Sequence, residues 1–120
     1  MDLTETSKKR LDTVVPELRA IMLDAIEIAE GRGMTVQITE GLRTLETQKK
    51  YVASGKSKTM KSYHLTGRAV DVYVNKGWKF EHYKQFADIV KEVALKHQKI
   101  ITWGGDWAKF RDGPHFQIEI

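Results

Sequence analysis

The chain has 120 residues, 41% of them hydrophobic and 30% charged, with a formal net charge of +4 and no cysteine. That length supports one domain around one core. The lack of cysteine excludes disulfides and thiolate metal sites, so a metal would have to be held by His, Asp or Glu. No apolar run approaches the roughly 20 residues of a membrane span, and no Lys/Arg run resembles a nucleic-acid-binding arm. The polar start, MDLTETSKKRLD, lacks the apolar stretch of a secretory signal. The expectations are therefore synthesis in the cytoplasm, a monomer, no nucleic-acid partner and no stable membrane association, with the mild positive excess suiting an anionic partner.

No repeat, low-complexity segment or linker interrupts the chain, so residues 1–120 read as a single domain. Ser7 to Val15 is expected to form a short helix or turn. Pro16 suits the first position of a helix, where its missing N–H costs nothing. From there Leu18, Ile21, Met22, Ala25, Ile26 and Ala29 recur at helical spacing, and Gly31 and Gly33 end the run. Thr35 to Glu40 alternates as a half-buried strand does, with Val36 and Ile38 on one face and Thr35, Gln37 and Thr39 on the other. Thr44 can cap a second helix running to about Ser54, with Leu45, Tyr51 and Val52 as its apolar residues. Gly55 to Thr66 reads as a polar loop and Ala69 to Val74 as a second strand. A long helix follows, from about Phe80 to His97, with Tyr83, Phe86, Ala87, Val90, Val93 and Ala94 inward. Ile100 to Trp103 reads as a short strand, Trp103 to Pro114 as a Gly-rich loop, and His115 to Ile120 as a last strand. This pattern is α+β: a small antiparallel sheet with helices packed on one face.

Strand parity locates the chemistry. Val70, Val72 and Val74 share one face of the second strand, which leaves Asp71 and Tyr73 on the other. Phe116, Ile118 and Ile120 share one face of the last strand, which leaves His115, Gln117 and Glu119 opposite. If the apolar faces meet the core, Asp71 and His115 project together from the far side of the sheet. His64, in the loop leading into it, completes a His/Asp/His set, and three protein ligands plus a water is the pattern of a catalytic zinc site. The competing reading is that each histidine is an ordinary hydrogen-bonded surface residue. His82 and His97, on the long helix, read as structural.

A general base has to reach a metal-bound water without displacing it. Asp112, three residues before His115 across a Gly-Pro turn, is the preferred candidate, although Asp-Gly-Pro is also a common turn sequence. Glu119 lies four residues along the strand from His115, roughly 13 Å away, too far to touch the metal. Arg43, just past the first strand, can stabilise an oxyanion or bind a substrate carboxylate, or be a plain surface arginine. Trp103 and Trp107 suit either a substrate groove or a cover over the core.

At these residues the sequence resembles a family. SYHLTGRAVDV (Ser62 to Val72) resembles the S-x-H-x-x-G-x-A-x-D motif of the D-Ala-D-Ala carboxypeptidase/VanY-like zinc peptidases. WGGDW (Trp103 to Trp107), then Phe110 and DGPHFQ (Asp112 to Gln117), is similar to the second half of that signature, and EGLRTLETQKKYVASGKSKT (Glu40 to Thr59) to the segment before it. The likeness runs from about residue 7 to the C-terminus, and its nearest form is the L-alanyl-D-glutamate peptidases, many of them bacteriophage endolysins.

The resemblance implies a VanY/Hedgehog-like fold with Zn2+ on His64, Asp71 and His115. It implies Asp112 in the catalytic position, where related carboxypeptidases often carry Glu, and Arg43 as the arginine that stabilises the transition state. Ser62 matches a serine beside the metal; Gln48 also matches, and with Trp107 is assigned to substrate binding. The implied partner is the peptidoglycan stem peptide, cut between L-alanine and D-glutamate for host lysis, after the enzyme leaves the host cytoplasm with help such as a phage holin. It then acts on the periplasmic or external cell wall. The alternatives are a D,D- or L,D-carboxypeptidase that trims the stem, or a non-catalytic zinc module that binds wall. Lys56, Lys58, Lys61 and Arg68 are candidates for recognising substrate carboxylates.

Overall fold

A run of residues that is apolar at helical spacing in two places and at strand spacing in four has one economical solution, which is to bury the helical stripes against one face of a sheet. The computed structural model, which describes residues 2–120, has that form. The elements are α1 (Glu5–Leu11), α2 (Pro16–Gly31), β1 (Val36–Glu40), α3 (Leu45–Ala53), β2 (Ala69–Val74), α4 (Phe80–Lys96), β3 (Ile101–Trp103) and β4 (His115–Ile118). Short 3-10 turns at Tyr63–Thr66 and Gly104–Asp106 interrupt the two loops that the sequence left irregular. The strands form one sheet in the order β1-β2-β4-β3, antiparallel throughout.

Helix α2 starts with Pro16 in its first turn, and its buried residues are those of the helical stripe, Leu18 to Ala29. Its chain reversal uses Gly33 at φ 84°, a left-handed conformation that glycine adopts without steric cost. Helix α4 buries Tyr83, Phe86, Ala87, Ile89, Val90, Val93 and Ala94. The two helices pack on each other and meet Val36, Ile38, Val70, Val72, Val74, Phe116 and Ile118 from the sheet in one core. The opposite face of β2 and β4 is thereby left for polar residues. Helix α1 closes the β1 edge: Ser7 Oγ accepts from Ile38 N (3.0 Å), and Arg10 donates to Ile38 O (3.1 Å). That bonding occupies an edge which would otherwise offer unpaired groups to another strand.

Helix α3 departs from its expected packing. Thr44 caps it as anticipated, accepting from Thr47 N at 3.1 Å. Leu45, however, is 54% exposed, and the one buried residue of the helix is Gln48. The helix therefore contributes nothing to the apolar core and turns its inner face toward polar groups instead.

Tyr83 ties α4 to the end of β2. Its hydroxyl accepts from Val74 N (3.2 Å) and donates to Gly77 O (2.7 Å), while its ring is 1% exposed. Replacing Tyr83 by Phe leaves both backbone groups without that partner, and the expected loss of stability is about 1–3 kcal/mol in urea unfolding. An unchanged unfolding midpoint would show that this turn holds without the hydroxyl.

Candidate active site

The polar face of the sheet gathers residues from four separate stretches. His64 comes from the first turn after α3. Ser62 Oγ accepts from His64 N (3.2 Å) and starts the turn, and Gly67 ends it at φ 68°. A side chain at Gly67 would press on Thr13 O and Val14, so the turn sits flush against the segment between α1 and α2. The His64 carbonyl accepts from Arg43 N (2.9 Å), and its ring is 1% exposed with Nδ1 2.8 Å from Gly41 O. That carbonyl fixes Nδ1 as the protonated nitrogen and leaves Nε2 as the free donor.

Asp71 and His115 are direct cross-strand partners on β2 and β4, so their side chains share a face. Asp71 Oδ1 lies 3.3 Å from His64 Nε2 and 3.3 Å from His115 Nδ1. The other nitrogen of His115, Nε2, is 2.8 Å from Gln117 Oε1, and Gln117 Nε2 donates to Glu119 Oε2 (3.0 Å). Glu119 also accepts from Thr102 (2.7 Å) and from the Tyr63 hydroxyl (2.6 Å). Each imidazole thus turns one nitrogen to a fixed acceptor and the other to Asp71. Burial alone would raise the Asp71 pKa, but hydrogen bonds from His115 and His64 hold it well below the usual carboxylate range. In the same contact burial opposes the charge on His115, and Asp71 outweighs it, raising the His115 pKa.

The three donor atoms lie within 4.8 Å of one another, and among the described residues these are the groups placed to hold a metal ion together. The donor types suit zinc, and tetrahedral Zn–N bonds of roughly 2.0–2.1 Å imply donor separations of about 3.3 Å. Asp71 meets that spacing to both histidines. The acceptors behind each ring, Gly41 O and Gln117 Oε1, are the kind of support that sets tautomer and orientation in metal-binding histidines. The residues fit the group.

Arg43 stands beside this set. It donates through Nε to Glu40 Oε2 (3.0 Å), through a second N–H to Glu40 Oε1, and through Nη1 to Gln48 Oε1 (2.7 Å). Its Nη2 is 4.0 Å from Asp71 Oδ2. Burial works against its charge, but the hydrogen bonds and charge of Glu40, with Asp71 behind, raise its pKa. Glu40 reaches this face through a β-bulge: Ile38 pairs with Val72 while Glu40 pairs with Asp71, so Thr39 is the extra residue. By simple alternation Glu40 would have followed Val36 and Ile38 into the core.

Gln48, expected among the substrate contacts, is fully buried. Its amide nitrogen donates to Thr59 O (2.6 Å) and Ser57 Oγ (2.9 Å), and its oxygen receives Arg43. It stands behind Arg43 and anchors the following loop, with no surface left for a ligand.

Asp112 arrives on the loop before β4. Its N–H donates to Gly104 O (3.0 Å), and its carbonyl accepts from His115 N (3.1 Å). A Cβ on Gly104 would lie 2.4 Å from Asp112 O, so only glycine lets the two loop strands approach. Burial raises the Asp112 pKa, and the negative charge of Asp71 adds to the effect. Trp107 tilts over His115 with ring centroids 5.2 Å apart. Ser62, His64, Asp71, Asp112, His115 and Trp107 line one cavity of about 700 Å³, which Arg43 and Glu40 also border.

Trp103 belongs to the core side: it is 3% exposed, and its Nε1 donates to Gly113 O (2.7 Å). His97 pairs with Asp24 (2.7 Å), and neither it nor His82 joins the cluster. Arg68 stacks on Tyr63, 4.3 Å from the ring centroid, and does not border the cavity, whereas Lys109 does. Sequence reading missed two supports of the site. Gln117 was open to discovery by parity, two residues from His115 on the same strand face, but Glu40 was hidden by the bulge.

Residues 1–119 match the family model of the phage L-alanyl-D-glutamate peptidases. The L-alanyl-D-glutamate peptidase of Listeria phage A118 is 35% identical over 113 residues, which cover 93% of this chain and 40% of that protein. The crystal structure of the L-Ala D-Glu endopeptidase ChiX of Serratia marcescens superposes with a TM-score of 0.88 at 35% identity, covering 97% of this chain and 88% of that one. The vancomycin resistance D,D-pentapeptidase VanY, in complex with Zn(II), shares the fold at a TM-score of 0.64 and 15% identity, covering 88% of this chain and 72% of that one. The chain thus spans less than half of the Listeria phage relative but most of ChiX, and it belongs to the phage L-alanyl-D-glutamate peptidase family.

Proposed function

We propose that this protein is a zinc-dependent peptidoglycan endopeptidase that cuts the stem peptide between L-alanine and D-glutamate, in the service of phage lysis of a bacterial host. The observation that carries the reading is the His64/Asp71/His115 set, its two histidines buried, sharing one cavity with a carboxylate, Asp112, and a guanidinium, Arg43. The names of the A118 relative and of ChiX support the bond assigned here, and the zinc in VanY supports the metal.

His64 Nε2, Asp71 Oδ1 and His115 Nδ1 would hold the ion. When bound, zinc supplies Lewis acidity and brings the pKa of a coordinated water near 7. Asp112 then accepts the proton of the attacking water and later returns it to the departing amine of D-glutamate. Its raised pKa suits the first of these transfers, because burial makes it a stronger proton acceptor than an ordinary aspartate. Arg43 is kept charged and aimed by Glu40 and Gln48, and it meets the negative charge that builds on the carbonyl oxygen of L-alanine. Trp107 and Ser62 border the same space and take the substrate's apolar and polar surfaces.

Digestion of purified sacculi should release fragments with new N-terminal D-glutamate, detected by mass spectrometry, and a chelator should stop their appearance. Release of free D-alanine alone would instead indicate a carboxypeptidase, and wall binding without any new terminus a non-catalytic module. Asp112→Ala should keep stoichiometric zinc and lose lytic activity, whereas His115→Ala should lose the zinc itself. Zinc loss from a folded Asp112→Ala protein would make that residue a ligand and not a base.

Zinc and pH should also act together on stability. His115 has a raised pKa in the metal-free fold, so its contribution is complete below the unfolded histidine pKa and disappears as pH rises through the folded value. Zinc requires the unprotonated ring, so its binding strengthens over the same range. The melting temperature of stripped protein should therefore fall as pH rises through the histidine range, while the increment from added zinc grows. A zinc increment independent of pH would remove His115 from the metal.

A further inference from the structure

The mouth of the cavity differs in character from its floor. Lys56, Lys58 and Lys61, from the loop after α3, and Lys109, from the loop before β4, all border it and are all exposed. None of the four joins an ion pair among the described residues, while Lys8, Lys50, Lys84 and Lys91 elsewhere each lie beside a carboxylate. Aromatic rings hold two of them in place. Lys56 Nζ is 5.3 Å from the centroid of Tyr51, the same ring that carries the Arg43 guanidinium at 4.6 Å. Lys58 Nζ is 5.5 Å from the centroid of Phe110, which joins the two loops across the cavity. Phe110 is 70% exposed and has a left-handed backbone, φ 55°, a conformation unusual for a bulky residue.

Of the three carboxylates that border the cavity, Glu40 is already paired with Arg43, Asp71 lies between the histidines, and Asp112 forms no ion pair with a lysine among the described residues. The rim is therefore an unneutralised positive field facing a positively charged arginine and a metal-binding set, and low-dielectric walls focus such a field on an entering anion. The bond assigned above has an asymmetric charge about it. On the L-alanine side the stem continues as a neutral amide to the glycan. On the D-glutamate side the linkage runs through the γ-carboxyl, so the α-carboxylate next to the scissile bond is free, and further carboxylates follow.

We propose that Lys56, Lys58, Lys61 and Lys109 form a cationic subsite for the free α-carboxylate of the D-glutamate residue, and so set the direction in which the stem peptide crosses the site. This rests on the endopeptidase reading and adds the discrimination that a charged rim imposes. Walls in which that carboxylate is amidated are poorer substrates, because amidation removes the anion and leaves the lysines without their partner.

The test uses two muropeptides that differ only in whether the D-glutamate α-carboxyl is free or amidated, with the wild-type protein and a K56Q/K58Q/K61Q/K109Q variant, both zinc-loaded. For the wild type, amidation should raise KM about tenfold, as several screened charge pairs together supply, with less effect on kcat. In the variant, KM for the free acid should rise toward that of the amide, and added salt should erase the wild-type preference in the same way. Equal KM for the two muropeptides with wild type, or a preference that survives in the variant, overturns the subsite while leaving the endopeptidase standing, since both substrates are still cut before D-glutamate. Failure to cut either one there overturns the endopeptidase reading and the subsite with it. The variant's melting temperature, expected to match the wild type because all four side chains are exposed, separates lost binding from lost structure.

Discussion

A half-buried carboxylate between two imidazoles governs the polar half of this molecule. Asp71 sits on β2, beside β4, where burial by itself would favour its neutral form. His64 and His115 reverse that preference, and in doing so they are drawn to 3.3 Å from one oxygen. Asp71 thereby stands with both imidazoles in one set of donors that could hold an ion together.

Such a centre is costly unless every polar atom around it is satisfied. Among the described residues no buried side-chain nitrogen or oxygen lacks a hydrogen-bond partner. Two chains of contacts achieve this. One runs from His115 through Gln117 to Glu119, where Thr102 and Tyr63 meet it. The other runs from Asp71 past Arg43 to Glu40 and Gln48, and from Gln48 to the loop at Ser57 and Thr59. Helix α3 presents Gln48 to this network, and its Tyr51 ring carries the Arg43 guanidinium. Beneath lies the apolar core of α2, α4 and the sheet, which holds the strands that carry Asp71 and His115 while loops bring His64, Arg43 and Asp112.

The loop that brings Asp112 to the cavity depends on close backbone approach. Gly104 lets Asp112 lie against it, and Gly105 leaves room for the Trp103 ring, which a Cβ there would meet at 2.2 Å. Trp103 in turn donates to Gly113 O, so the core side of the loop is pinned by an indole while its other side faces the cavity. One tryptophan of the WGGDW segment thus serves packing and the other, Trp107, covers His115.

Periodicity by itself determined most of the architecture. The α2 stripe, the bounds of β2 and the shared face of Asp71 and His115 all follow from side chains that must alternate or recur to reach one core, and that rule acts locally along the chain. Loop position makes His64, Arg43 and Asp112 candidates, and motif likeness, read from Glu40 to Thr59, from Ser62 to Val72 and from Trp103 to Gln117, gives them their roles. Tertiary structure alone decided the rest. A single extra residue in β1 reverses parity, so Glu40 turns from the core to the arginine, and nothing in VQITE marks where the register slips. Motif likeness assigns Gln48 to substrate binding, yet bonds to Ser57 and Thr59 in the loop beyond α3 bury it. Local pattern reports which face a residue prefers, whereas the partners that satisfy a buried polar group come from distant parts of the chain and exist only once it has folded.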